Sequence, residues 1–332
     1  MLKKYFRKIR FPIVIAEIGL NHNGDINLAK KSIKAAHLAG ADLVKIQTFK
    51  AISLCSEKSK YYDFFKKCEL NEKQLVNLFK FSSKLNINLF STVFDEWSAN
   101  IISEFKPPFI KISSGDISHI PLISYVAKKN IPIILSTGAS NINDIKAATQ
   151  AIKKSNKNLE YYLLHCVSNY PTDPKSANLL CLEDLRKKFK VPVGFSDHTT
   201  SYETSLIATT LGAEIIEKHF TLDKKLPGPD HALSADPKEF KNFVKSVKLV
   251  NEIKGKNKKT LVEGKSLAKA IRRSIFAKRT IKSGSIIKID DIKISRPVIG
   301  IEPKHMNKII GKKTIKSIPK EAAIKWSYIK NK

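Results

Sequence analysis

The chain has 332 residues, 42% of them hydrophobic, and a formal net charge of +30. The length suits one large domain with a small companion, and the apolar content excludes a disordered chain. No apolar run approaches the roughly 20 residues that cross a bilayer. Lysine is spread along the whole sequence, so the charge reads as a solvated surface whose positive field steers an anionic substrate.

In chain order, the basic opening MLKKYFRKIR looks like the n-region of a secretory signal. FPIVIAEIGL behind it is interrupted by Glu17, no clean h-region forms, and a cytoplasmic protein is expected. Eight short apolar, β-branched runs follow: PIVIAEIGL from Pro12, DLVKIQTF from Asp42, INLFSTVF from Ile87, FIKISS from Phe109, PIILST from Pro132, YYLLHCV from Tyr161, VPVGFSDH from Val191 and AEIIEKHF from Ala213. Each has the continuous apolar texture of a buried parallel strand. Helical patterns alternate with them, as in INLAKKSIKAAHLAGA, which stops at Gly40, and in NINDIKAATQAIKK and YETSLIATTLGA. Eight strands alternating with helices in about 250 residues predict a (β/α)8 TIM barrel over residues 1–255. The structural competitor is a doubly wound open sheet, but no GxGxxG follows the first strand.

DPKEFKNFVKSVKLVNEIKG then sets Phe240, Phe243, Val244, Val247, Val250 and Ile253 on one helical face, expected to pack outside the barrel. The polar, lysine-rich stretch 256–271 reads as a linker. From Arg272 to Lys332, short strand-like runs are broken by Lys-Ser-Gly and Asp-Asp, which predicts a small β-rich domain with a thin core. Cys55, Cys68, Cys166 and Cys181 form no CxxC pair, so neither a zinc knuckle nor a disulfide framework is expected.

The active site of such a barrel lies at the C-terminal ends of its strands. Those ends carry Glu17, Asn21 and His22, then Lys45 and Gln47, Thr92, and Lys111, Ser114 and Asp116. They continue with Ser136, with His165, Ser168 and Tyr170, with Ser196, Asp197 and His198, and with Lys218 and His219. Polar groups gathered at one rim are costly unless they bind something. Lys45 and Lys111 with Ser114, Ser136 and Ser196 suit a phosphate or carboxylate. His198 and His219 end adjacent strands and suit a borderline transition metal, with water and substrate oxygens completing its shell. His165, beside Cys166, reads as structural or as a support behind the residues that bind.

Taken in order, AEIGLNHNG (Ala16–Gly24), KIQTFK (Lys45–Lys50), FSTVFD (Phe90–Asp95), KISSGD (Lys111–Asp116), LSTGAS, LLHCVSNYPT, GFSDHT and EKHFTLDKKLPGPDH resemble the N-acetylneuraminate synthase family, with its sialic, legionaminic and pseudaminic acid synthases. The segment beyond Arg272 is similar to that family's C-terminal antifreeze-like (SAF) domain. The resemblance implies condensation of phosphoenolpyruvate (PEP) with an open-chain N-acylmannosamine-type aldehyde and water, giving a 2-keto-3-deoxy nonulosonic acid and phosphate. It assigns PEP to Lys45, Thr92, Lys111, Ser114, Ser136, Ser168 and Ser196, and the sugar to Glu17, Gln47, Tyr170, Asp230 and Arg296.

The same resemblance assigns a divalent metal to His198 and His219, Mn2+ first with Mg2+ or Co2+ as alternatives, and places Asp116 where an acidic residue orients water. Catalysis would then rest on Asp116, Glu17, His198 and His219. The family's SAF domain caps the barrel of the other subunit in a swapped homodimer and inserts an arginine, matched here by Arg296. Asp116 stands where some sialic acid synthases carry Glu, and Ser168 near an Asn, which leaves the acceptor open among N-acetylmannosamine, its 6-phosphate and a 2,4-diacetamido sugar. The readings from other classes are a nucleic-acid-binding protein, which lacks a concentrated basic arm, and a catalytically retired barrel.

Overall fold

The computed structural model describes residues 12–255 and 258–330. The basic N-terminal stretch and two residues of the expected linker lie outside them. Two compact units divide after Gly255.

The N-terminal unit is a closed parallel barrel in the order β1 to β8, each strand paired with its sequence neighbours and β8 closing on β1. The strands are β1 (Ile13–Gly19), β2 (Leu43–Thr48), β3 (Asn88–Val93), β4 (Ile110–Ile112), β5 (Ile133–Ser136), β6 (Tyr161–His165), β7 (Val193–Asp197) and β8 (Ile215–His219). All eight fall within the runs read from the sequence. Helices between them begin on polar caps. Asp25, Asn71, Asp95, Asn141 and Asp236 each accept hydrogen bonds from backbone N–H groups of the first turn. Each cap directs the chain from the mouth of the barrel back along its outside.

Side chains alternate across each strand, so the sheet has two faces with different cores. The outer face, with Val14, Ala16, Ile18, Val44, Ile46, Leu135 and Ile216, packs against the helices in one continuous apolar cluster. The inner face carries a separate plug of Ile13, Ile15, Leu43, Phe90, Phe109, Ile134, Tyr162, Leu164 and Ile215. Gly194 also faces this plug. A Cβ there would collide with the Ile215 carbonyl oxygen and the Leu164 side chain, so glycine is required by the close approach. The plug seals the bottom of the barrel and leaves its upper half to polar side chains.

The helix Pro237–Lys254 buries Phe240, Phe243, Val244 and Val247 as its periodicity predicts. Ile253, expected on the same face, is 73% exposed because it lies in the last turn of the helix. In the second unit, β9 (Ser274–Ala277) and β10 (Ile292–Ser295) pair antiparallel over a small core rich in isoleucine, including Ile275, Ile287, Ile301, Ile309, Ile318 and Ile324. One expectation needs correcting. The stretch read as linker contains a helix, Lys265–Ile271, tied to the second unit by the Val298 N–H donating to the Lys269 carbonyl. Its abundant lysines hid a run of good helix formers.

Candidate active site

Follow the inner face of the barrel upward and the chemistry changes within single strands. Two residues above Ile15 stands Glu17, above Leu43 stands Lys45, above Phe109 stands Lys111 and above Ile215 stands Glu217. Strand register sets Glu17 level with Lys45 on one side and His219 on the other, Thr92 level with Lys111, and Ser196 level with Glu217. These groups line a cavity of about 300 Å³ at the C-terminal mouth. Its wall also includes Gln47, Ser114, Ser136, Ser168, Tyr170 and His198.

At the floor, two ammonium and two carboxylate groups form one buried network. Lys45 Nζ lies 2.7 Å from Glu17 Oε2, donates to Thr92 Oγ1 at 2.8 Å, and is 3.7 Å from Glu217 Oε2. Lys111 Nζ lies 3.0 Å from Glu217 Oε1, to which Ser196 Oγ donates at 2.8 Å. Gln47 Nε2 donates to Glu17 Oε1 at 3.2 Å. Burial alone would raise the Glu217 carboxyl, but Lys111 and Lys45 outweigh it and hold it well below the usual carboxylate range. Burial also works against Lys45, yet Glu17 and Glu217 hold it above the ordinary lysine value. Lys111 falls below that value, because burial and Lys45 outweigh Glu217. Two lysines and two glutamates make a formally neutral set in a low-dielectric site, with Lys111 the lysine less committed to carboxylates.

The serines form the opposite lip, above β4 to β6. The Gly138 N–H donates to Ser114 Oγ at 3.1 Å, Cys166 Sγ lies 3.1 Å from the same hydroxyl, and Ser168 Oγ is buried without a partner. A side chain at Gly138 would run into Ser168, Cys166 and Ser114 together, so glycine keeps this lip open. Hydroxyls and the Lys111 side chain are donors suited to an anion.

His198 and His219 stand with ring centroids 5.5 Å apart, and Tyr170 packs 4.2 Å from the His198 ring. His198 Nδ1 is 2.7 Å from the Val167 carbonyl, which can only accept, so Nδ1 carries the hydrogen and Nε2 keeps its lone pair. Burial, reinforced by His219, pushes His198 down to about 4 and keeps the ring neutral. His219 Nδ1 is buried with no hydrogen-bond partner and lies 3.9 Å from Asp230 Oδ2. Two imidazoles, one oriented by a carbonyl and one with an orphaned nitrogen, fit a divalent cation. Among the described residues no three His, Cys, Asp or Glu side chains form a metal cage, so other ligands would have to be water or substrate oxygens.

The remaining candidates sort by position. Asp116 lies just outside the cavity wall, its carboxylate accepting from Ser113 Oγ, and burial raises it above the ordinary value. Arg296 belongs to the second unit and is exposed there. Asp197, Lys218 and His165, read as rim residues, are not at the cavity, because alternation turns them to the outer face. His165 instead bonds the Ala177 carbonyl through Nε2.

Sequence reasoning missed Glu217, the hub of the charged network, although it stands two residues before His219 and so shares its face. It also missed the apolar wall of Leu54, Phe65 and Phe94, supplied mainly by the short helices Ala51–Leu54 and Tyr62–Cys68. No helix among the described residues is long and apolar enough to cross a membrane.

Comparison with known proteins agrees with this layout. Residues 32–259 match the NeuB family and residues 272–330 the SAF domain. An uncharacterized protein of Methanocaldococcus jannaschii is 40% identical, covering 97% of this chain and 96% of its own length. The N,N'-diacetyllegionaminic acid synthase of Legionella pneumophila is 37% identical over 95% of this chain and 94% of its own. Among solved structures, the N-acetylneuraminic acid (sialic acid) synthetase of Leptospira borgpetersenii serovar Hardjo-bovis superposes with a TM-score of 0.73 at 36% identity, covering 77% of this chain and 90% of that one.

Proposed function

The chain belongs to the NeuB family of sialic, legionaminic and pseudaminic acid synthase-type enzymes, and from that premise we propose that it condenses PEP with the open-chain form of an N-acylated amino sugar and water. The products are a 2-keto-3-deoxy nonulosonic acid and phosphate. One observation carries this reading: two lysine side chains and two imidazoles converge at the same mouth of the barrel.

Lys111, Ser114, Ser136 and Ser168 would receive the phosphate and carboxylate of PEP, with Lys45, Thr92 and Ser196 beneath them. Glu17, Gln47, Tyr170 and Asp230 would orient the acceptor, and Arg296 would reach it within a swapped homodimer. PEP carbon 3 attacks the aldehyde carbon, water adds to carbon 2, and cleavage of the carbon 2–oxygen bond releases phosphate. Asp116, whose carboxyl burial raises above the ordinary value, would take the proton of that water. A divalent ion on His198 and His219, Mn2+ before Mg2+ or Co2+, would supply Lewis-acid polarisation of the aldehyde oxygen.

Within this reading the apolar wall of Leu54, Phe65 and Phe94 favours a deoxy, diacetamido acceptor. Methyl groups gain from contact with that wall, whereas a 6-phosphate would need a cation beyond Lys45 and Lys111. The test is phosphate release from PEP with N-acetylmannosamine, its 6-phosphate and 2,4-diacetamido-2,4,6-trideoxymannose, the product identified by mass. Release is expected only with an acceptor present, fastest with the diacetamido sugar, and lost in His219→Ala. No release with any of the three would defeat the proposal.

A further inference from the structure

Behind the two imidazoles, on the face of the sheet turned toward the helices, lies a second charged pair. Asp197 and Lys218 are cross-strand partners on β7 and β8, and each immediately precedes a cavity histidine. Asp197 Oδ2 is 3.2 Å from Lys218 Nζ, with both side chains almost wholly buried. The carboxylate also accepts from the Thr199 N–H at 2.9 Å, Thr199 Oγ1 at 2.8 Å, Thr204 Oγ1 at 3.0 Å and Ser205 Oγ at 2.6 Å. Lys218 donates to the carbonyls of Thr199 and Ser201, each at 2.8 Å. The network therefore ties β7 and β8 to the loop leaving His198 and to the first turn of the helix Glu203–Thr210 that follows it.

A buried ion pair, with buried hydroxyls around it, set against the apolar sheet–helix cluster is a poor device for stability alone, since apolar residues of similar volume often do as well or better. Directional bonds can do what apolar packing does less well, which is hold two backbone segments at a set spacing. Alternation transmits that spacing: a shift of backbone at Asp197 or Lys218 displaces the adjacent imidazole on the opposite face. We propose that Asp197 and Lys218 are a positioning pair that sets the separation of His198 and His219 for a divalent cation. The inference rests on the reading of these histidines as a cation site.

The experiment measures Mn2+ binding to the purified full chain, without substrates, by electron paramagnetic resonance of the free ion, and the absorption bands of bound Co2+. Parent, Asp197→Asn, Lys218→Met, the double variant Asp197→Leu/Lys218→Met and His219→Ala are compared. Val247→Ala, a cavity variant in the same sheet–helix layer, serves as the reference for plain destabilisation. The expected result is a loss of Mn2+ affinity of about tenfold or more in both single variants and an altered Co2+ spectrum. The double variant should regain thermal stability without regaining affinity, while Val247→Ala should bind as the parent does. Parent-like affinity in the folded single or double variants overturns this inference alone. A parent that binds no Mn2+, or binding unaffected by His219→Ala, overturns the cation site and this inference together.

Discussion

Glu217 shows how much one carboxylate can organise. Lys111, Lys45 and Ser196 all converge on it, and together with Glu17 it offsets two buried ammoniums. Removing one partner leaves the others desolvated and uncompensated, which typically costs about 3–5 kcal/mol. Glu217→Ala is therefore expected to lose that much stability in urea denaturation at neutral pH, and a loss below about 1 kcal/mol would refute the network as described. His22 makes the opposite kind of prediction. It is fully buried, its Nδ1 accepts from the Gly24 N–H, and burial pushes it down to about 4 despite the pull of Asp25. Between about 4 and the ordinary value near 6.5 the unfolded chain binds more protons than the folded one, so stability is full above that window and falls with pH through it. From pH 7 to pH 5 this one group is expected to remove on the order of 2 kcal/mol. His198 pushes in the same direction. Urea midpoints at the two pH values should show His22→Gln losing less on acidification than the parent.

Elements translate such residues into place through period and caps. Along β8, Glu217 and His219 face the cavity while Lys218 between them faces the helices, and at the end of β7 Ser196 and the following His198 flank Asp197 in the same way. Whether a polar residue is catalytic or a strut thus turns on a single position in the strand. Asp95 couples two other elements. It caps the helix Glu96–Glu104 through the Ser98 N–H at 2.6 Å and accepts from the Lys50 N–H at 2.8 Å, where the loop carrying Leu54 and Phe65 begins. Asp95→Ala should cost about 1–2 kcal/mol. It should also raise the acceptor KM more than the PEP KM, because the loop it secures forms the apolar wall. Equal changes in both would count against that wall as part of the acceptor subsite.

At the scale of the whole molecule, the two units have separate cores and divide after Gly255. The fragment 1–255 is accordingly expected to unfold cooperatively by circular dichroism, since all eight strands and their closure lie within it. If Arg296 is needed by the acceptor, the same fragment should lack turnover while still binding PEP. The sequence alone determined the strand count, the barrel and most cavity residues, because continuous apolar runs and strand-end polar residues are local signals. Lys45, Lys111, His198 and His219 were legible from position along single strands. Tertiary structure decided the rest. Only closure of the sheet set Glu217 between two lysines from other strands, and only packing revealed that the loop after β2 walls the cavity. It also turned Lys218 and Asp197, chemically as eligible as their neighbours, into a pair behind the sheet. A pattern along the chain records residue type and spacing, whereas which side chains meet across a barrel depends on register and on which face each strand turns inward.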